Sequence, residues 1–396
     1  METTLAIVGA GPYGLSLAAH AVEANLPHVL LGEPMDFWRN HMPQGMLVRS
    51  QGRATSLSHP AGRFRLPDYL REHCPGWREG EPYPKQVFLD YAETFQRRLG
   101  IDANPNWVTR VEREGDRFLV AAGSEVVRAR NIVLATGLAP FPYIPQSVRE
   151  SLPPTCYTHT AAAPDTAAWA GRRIAILGGG QSAFEYALLA AQAGAQVVVA
   201  RRSGRFRVTG VHNPYSRLFM SNLCRSSSLF FQLPRFVQQP LCRRMLPTTL
   251  APWVHAELRR WPVEVLHRAN VQSVRPTASG VALQFEDGRR RDADHLVVAT
   301  GYRVDLRRLA CLSTNLLQEV HTRQGAPVLD RHFQSSVRGL YFAGAMAMHS
   351  FGPAFAFVCG VGKQCRAMID RHLALKAAGT RSVPAILVTR GASDPE

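Results

Sequence analysis

Two glycine-rich turns, each set between an apolar run and a helix-like stretch, constrain this chain more than any other feature. Gly9-Ala10-Gly11-Pro12-Tyr13-Gly14 follows Leu5-Ala6-Ile7-Val8 and leads into the apolar run Leu15 to Ala21. Gly178-Gly179-Gly180-Gln181-Ser182-Ala183 follows Arg173 to Leu177 and leads into Phe184 to Ala193. Strand, glycine turn and helix in that order present backbone N–H groups and a helix N-terminus to a pyrophosphate. In the first turn Gly9 permits the tight bend, Gly11 leaves room for the pyrophosphate beside Pro12, and Gly14 lets the helix pack close to the strand. In the second, Gly178, Gly180, Gln181 and Ser182 take the equivalent places, and Ala183 replaces the third glycine.

The strands that follow end differently. Val29-Leu30-Leu31 is followed by Glu33, 19 residues after Gly14, where a carboxylate accepts hydrogen bonds from a ribose diol. Val197-Val198-Val199 is followed instead by Arg201-Arg202, the charge that holds an adenosine 2′-phosphate and favours NADPH over NADH. The duplication extends further. Asn131-Ile132-Val133-Leu134-Ala135-Thr136-Gly137 and His295-Leu296-Val297-Val298-Ala299-Thr300-Gly301 are near copies, lying 127 residues from Gly9 to Thr136 and 122 from Gly178 to Thr300. Thr136-Gly137 and Thr300-Gly301 are small-residue turns that let backbone approach a nucleotide. The expected fold is therefore α/β, with two Rossmann-like dinucleotide-binding domains, the second inserted in the first. Residues 1–160 and 300–380 form the first domain and 161–299 the second. Arginines, prolines and apolar clusters over about 205–260 suggest a small helical insert that caps a substrate pocket or rests on a membrane or partner surface, and 381–396 reads as a flexible tail.

Composition narrows the function. With 396 residues and 46% apolar content the chain can bury more than one core, which excludes a disordered or fibrous protein. The formal charge is +16, but 43 of the 46 basic residues are arginine, no run of five basic residues occurs, and no zinc-finger or RNA-binding signature accompanies them, so no nucleic-acid partner is expected. The chain reaches an apolar strand at Leu5 without a charged leader and has no window of ~20 apolar residues, which reads as cytoplasmic without a transmembrane segment. Seven cysteines without a CxxC pair read as free thiols, no metal site is expected, and no oligomeric state is implied.

Together these motifs resemble the flavoproteins with two dinucleotide-binding domains, which implies FAD on the first turn and NAD(P)H on the second. Within that class the chain is similar to the single-component, class B flavin monooxygenases, nearest their N-hydroxylating branch, whose second motif reads as Gly178 through Glu185 do here. Met46, the stretch from Pro60 to Leu70, and Pro84 followed by Phe88 and Tyr91 resemble that branch's flavin-lining segment, and Thr158-His159-Thr160 resembles the remnant of its interdomain signature. The sequence departs from the branch at Pro153 and Thr155, where Phe and Gly are usual. It lacks the substrate-binding lysine near Arg49 to Arg53, and Gly344-Ala345-Met346 stands where Gly-Asp is common. FAD-dependent hydroxylases of heteroaromatic compounds such as urate look comparable in layout.

The resemblance implies that NADPH reduces FAD, that reduced flavin takes up O2 at C4a, and that one oxygen atom passes to a small organic substrate. Such chemistry requires shielding from water more than a general base. Gly344-Ala345-Met346 through Ser350-Phe351-Gly352-Pro353-Ala354-Phe355, after the strand Gly339 to Phe342, has the apolar, small-residue composition of a wall beside the flavin and forms the candidate flavin-contacting turn, and Trp38 is placed to cover an adenine or flavin face. Arg49 and Arg53 are candidates to hold an anionic substrate or the nicotinamide phosphate, and His159 is a candidate interdomain functional residue. The alternatives are a flavin oxidoreductase passing electrons to a quinone or protein partner, and a non-catalytic nucleotide-binding protein.

Overall fold

The computed structural model describes residues 1–209, 226–246 and 248–379. The expected tail at 381–396, Cys224 and the cluster Leu218-Phe219-Met220 lie outside the described residues.

The first sheet has seven strands and centres on Glu2–Val8, which pairs in parallel with His28–Leu31 on one side and Glu125–Leu134 on the other. Leu340–Phe342 adds in parallel to Glu125–Leu134, and the hairpin Val108–Glu114 with Arg117–Ala122 adds antiparallel. Leu5, Ala6 and Ile7 are fully buried, as are Ile132, Val133 and Leu134, so both faces of these central parallel strands are covered. Each of these Leu, Ile and Val side chains contributes ~1.5–3 kcal/mol by leaving water. The helix Pro12–Glu23 packs on this sheet and on the C-terminal helix Val361–Gly379.

The second sheet is wholly parallel, in the order Val263–Leu266, Gln196–Ala200, Arg173–Leu177, His295–Val298 and Tyr157–His159. It already takes in Tyr157–His159, ahead of the boundary at 160 expected from sequence. A separate antiparallel sheet of Val271–Thr277, Gly280–Phe285 and Arg290–Ala293 packs beside it, whereas the 108–122 hairpin of the first domain is continuous with its sheet.

The two halves repeat each other bond for bond at their turns. Gly9 N–H donates to Leu31 O at 2.7 Å and Ala135 N–H to Val8 O at 2.7 Å. Gly178 N–H donates to Ala200 O at 3.0 Å and Ala299 N–H to Leu177 O at 2.9 Å.

The insert divides between the domains. Pro252–Glu257 packs on the helix Gln181–Gln192 of the second domain. Ser227–Gln232 and Arg235–Met245 pack instead on the helix Met348–Phe351 of the first. Among the described residues no helix is long and apolar enough to cross a membrane.

Gln364 ties the C-terminal helix to the turn after Phe342. Its fully buried amide donates to Phe342 O at 2.9 Å and accepts from Gly344 N–H at 3.0 Å. Gln364→Leu would leave both backbone groups unpaired and is expected to lower stability by roughly 2–5 kcal/mol, read by urea unfolding. A loss under ~1 kcal/mol would contradict this account.

Candidate functional site

The carboxyl ends of the central strands in each sheet carry the turns, the place where open α/β sheets bind ligands. In the first domain the helix Pro12–Glu23 starts at Gly11 with Pro at its first position, where a missing N–H costs nothing. Gly9 has φ +106°, and a methyl group there would lie 2.4 Å from Ala135 O. A methyl on Gly14 would lie 1.8 Å from Gly9 O. Gly11 has no heavy atom within 4 Å of such a methyl and opens into a cavity of about 460 Å³.

That cavity brings together Gly9, Gly11, Pro12, Glu33, Trp38, Thr136, Gly137, Gly344 and Ala345. Of the other residues expected there, Gly14 and the buried Met46 and Met346 pack behind its wall rather than lining it. Trp38 also meets Phe88 edge to face at 4.5 Å, which fixes the indole. Thr136 Oγ1 is buried with no hydrogen-bond partner, and its counterpart Thr300 Oγ1 donates to Tyr143 O. A lone buried hydroxyl beside an open cradle fits a bound dinucleotide.

Several lining residues had no sequence signal. Trp107 is 62% exposed at the rim, and Arg308 to Cys311 arrive from a distant loop. Phe355, the last residue of the apolar stretch expected beside the flavin, closes one wall together with Ala356 to Val358, for which there was no such signal, and Tyr13 braces it by donating its hydroxyl to Phe357 O at 2.8 Å. Tyr13 occupies a variable position of the glycine motif, where residue type carries no information.

The second turn reproduces the cradle outside that cavity. A methyl on Gly178 would lie 2.4 Å from Ala299 O, and one at Gly180 would meet nothing closer than Thr248 Cγ2 at 3.9 Å. Ser182 sits on the first turn of the helix that Gly180 caps. Arg201 ends the adjacent strand with only 2% of its surface exposed. Its guanidinium lies 4.3 Å over Phe206 and donates to Ser203 Oγ at 2.6 Å and Arg205 O at 2.8 Å. Its Nε and Nη1 are buried without partners, and a methyl on Gly179 would come within 3.2 Å of its Cβ. Unsatisfied guanidinium donors beside an open phosphate cradle fit an anionic nucleotide. Arg202 is exposed.

The three candidate catalytic residues do not converge on the cavity. His159 is buried between the domains; its Nε2–H donates to Gly301 O at 3.0 Å and its Nδ1 accepts from Ala161 N–H at 3.0 Å, which fixes a neutral ring. Burial lowers its pKa, in the same sense. Gly301, in turn, accepts a bond from Tyr143 N–H at 2.8 Å. Arg53 is exposed, 3.9 Å from Glu79. Arg49 reaches across to the second domain, donating to Thr249 Oγ1 at 2.7 Å, Gln181 Oε1 at 3.3 Å and Thr209 Oγ1 at 3.4 Å. Gln181 in turn donates to Glu185, whose carboxyl burial pushes up to about 7 against the pull of Gln181 and Arg49. Among the described residues no group of His, Cys, Asp and Glu could hold a metal, and Cys74, Cys156, Cys242, Cys311, Cys359 and Cys365 form no disulfide.

Two nested domains with matched cradles, one opening on a cavity edged by an acid and the other on a buried arginine, define a flavoprotein-type fold with two dinucleotide-binding domains. The chain belongs to the pyridine nucleotide-disulphide oxidoreductase family, whose patterns match residues 6–225 and 235–363. It is 31% identical over 212 residues to the FAD-dependent urate hydroxylase of Xanthomonas campestris, a match spanning 49% of this chain and under half, 44%, of that protein. It is 23% identical to the thioredoxin reductase of Helicobacter pylori over 86% of this chain and 89% of that protein. Its fold is similar to that of the ornithine N-hydroxylase of Kutzneria sp. 744, with a TM-score of 0.79, 19% identity, and coverage of 95% of this chain and 100% of that one.

Glu185 gives a pH test. Because the native state holds its proton up to about 7 rather than 4.5, native Glu185 binds a proton that the unfolded chain has released, and stability falls as pH rises between those values. Glu185→Gln removes that loss. The variant is expected to match wild type near pH 4.5 and to exceed it by roughly 2–3 kcal/mol above about pH 8 in urea unfolding. A difference that does not vary with pH would contradict the assignment.

Proposed function

We propose that this protein is an FAD-dependent, NADPH-consuming monooxygenase that inserts one oxygen atom from O2 into a small organic substrate, an amine or a heteroaromatic ring. The observation that carries the reading is the matched pair of cradles with opposite strand ends, Glu33 at the first and Arg201-Arg202 at the second. A carboxylate pairs with a ribose diol and repels a 2′-phosphate, whereas guanidinium donors attract one. FAD therefore belongs to the first cradle, held by the N-terminus at Gly11 and Pro12, by Glu33, by Thr136-Gly137 and by Gly344-Ala345. NADPH belongs to the second, held by Gly180, Gln181 and Ser182 with Arg201 and Arg202 on its phosphate, and Thr300-Gly301 forms the facing turn.

When bound, FAD supplies hydride acceptance and the activation of oxygen. The chain's own contribution is position and exclusion of water. Phe355 to Val358, Ala343 and Ala54 give the cavity an apolar wall, and Tyr13 fixes it by holding Phe357 O. No side chain is required to move a proton at the flavin: His159 is neutral with both nitrogens engaged, and Arg49 is committed to the domain junction.

Electron transfer to a disulfide calls for a thiolate. Cys311 lines the cavity, but burial raises its pKa and so disfavours the thiolate. Free thiols also suit a cytoplasmic setting.

The purified protein is expected to be yellow, to be bleached anaerobically by NADPH faster than by NADH, and to yield a product heavier by one oxygen atom from a panel of amines and heteroaromatics. NADPH oxidation indifferent to oxygen, coupled to quinones and giving no oxygenated product, would overturn the reading in favour of a reductase.

A further inference from the structure

The inserted helices have a narrow root. Their two ends meet at an isolated bridge between Val208 and Leu250, where Thr209 N–H donates to Leu250 O at 3.0 Å and Leu250 N–H donates to Arg207 O at 2.9 Å. From this root in the second domain, the helices Ser227–Gln232 and Arg235–Met245 lie on the first domain. Phe231 stacks on Phe351 at 4.8 Å, and Lys363 Nζ donates to Ser227 Oγ at 2.6 Å and Ser228 Oγ at 2.7 Å. Phe351 in turn packs 5.6 Å from Phe355, which lines the large cavity. The insert is thus seated on the back of the cavity's apolar wall.

One side chain touches both ends of that root and the second cradle together. Arg49, from the first domain, binds the hydroxyls of Thr209 and Thr249 and the side-chain oxygen of Gln181, the first residue of the helix that Gly180 caps. Gln181 Oε1 also accepts from Ala251 N–H at 2.8 Å, so the root is joined to the helix start twice. Ser50, the next residue, lines the large cavity. All the oxygens Arg49 binds are neutral, and no carboxylate lies within ion-pair distance among the described residues. A guanidinium so placed at a helix N-terminus is drawn to an arriving phosphate, which carries the opposite charge and can take two parallel N–H···O bonds where the hydroxyl and amide oxygens offer neither.

We propose that Arg49 is a positioning residue that couples occupancy of the second cradle to the seating of the inserted helices over the cavity wall. An anion at the helix start fixes the guanidinium, the fixed guanidinium holds Thr209 and Thr249 together, and the root so held presses the insert onto Phe351. Nucleotide on one domain thereby tightens the cover on the other. The proposal rests on the reading that NADPH occupies the second cradle.

The test is hydrogen exchange of the FAD-loaded protein with and without NADP+, with binding measured separately by calorimetry. In wild type, NADP+ is expected to slow exchange of 227–232 and 235–245 by about five- to tenfold, within the usual range of coupling between sites. In Arg49→Gln the nucleotide still binds but that protection is lost, and Arg49→Lys restores part of it. Thr249→Val, which removes the shortest contact without disturbing the arginine, is expected to reduce the protection at unchanged FAD content. Equal protection in Arg49→Gln and wild type, or none in wild type despite NADP+ binding, would overturn the coupling while leaving the functional reading intact. Failure of wild type to bind NADP+ at all would overturn the functional reading and the coupling with it.

Discussion

The fold depends on a contact that forbids a side chain. At Gly9 and again at Gly178, the turn leaving the central strand passes so close to the neighbouring Ala-Thr-Gly turn that a methyl group would sit 2.4 Å from a carbonyl oxygen, far inside contact distance. Only glycine permits that approach, and it lets the adjacent parallel strands stay paired to their last residues, Val8 with Leu134 and Leu177 with Val298. Because the strands end together, their carboxyl edges leave a mouth into which the helix N-terminus points. Cradle, cavity floor and domain crossing all follow from that one spacing.

The two copies share this backbone and differ in what surrounds it. Thr136 keeps a lone buried hydroxyl and Thr300 has given its own to Tyr143 O, so the first turn retains a site for a ligand contact where the second has become part of the junction. The first strand pair leads to Glu33 on the cavity rim, and the second leads to Arg201 pressed on Phe206. Stacking a guanidinium on a ring recovers part of the cost of taking it from water, since its flat face is weakly hydrated. It leaves the edge N–H groups unsatisfied, and desolvation accordingly lowers the Arg201 pKa. Identical scaffolds are thus given opposite electrostatic preferences by one residue each.

What could be read from sequence followed the range of the interaction. The glycine turns, the strand-end charges and the duplicated Ala-Thr-Gly strands are local patterns, where spacing along the chain stands for spacing in space, and the fold places them as read. Cavity residues such as Trp107 and Arg308 to Cys311 come from loops far apart in sequence, and no local periodicity marks them. Arg49 shows the limit most directly. A cluster of arginines beside the flavin-lining segment suggests a hold on an acidic ligand, yet its partners are Gln181, Thr209 and Thr249, each more than a hundred residues away. The insert is the same case: its composition indicates short helices, but nothing in it reveals that they are rooted in one domain and seated on the other.

That division has a mechanical consequence. The domains are nested, so the chain crosses between them twice, and His159 ties the crossings by donating to Gly301 O. Beyond the crossings, the polar junction at Arg49 consists of three hydrogen bonds from its charged guanidinium to neutral oxygens, each worth about 1.5–3 kcal/mol net. Each sheet is held by many more contacts, the fully buried aliphatic side chains of its strands contributing ~1.5–3 kcal/mol apiece. A junction of so few polar bonds can rearrange at less cost than either core, which is the property that the proposed passage of a hydride between separately bound nucleotides requires.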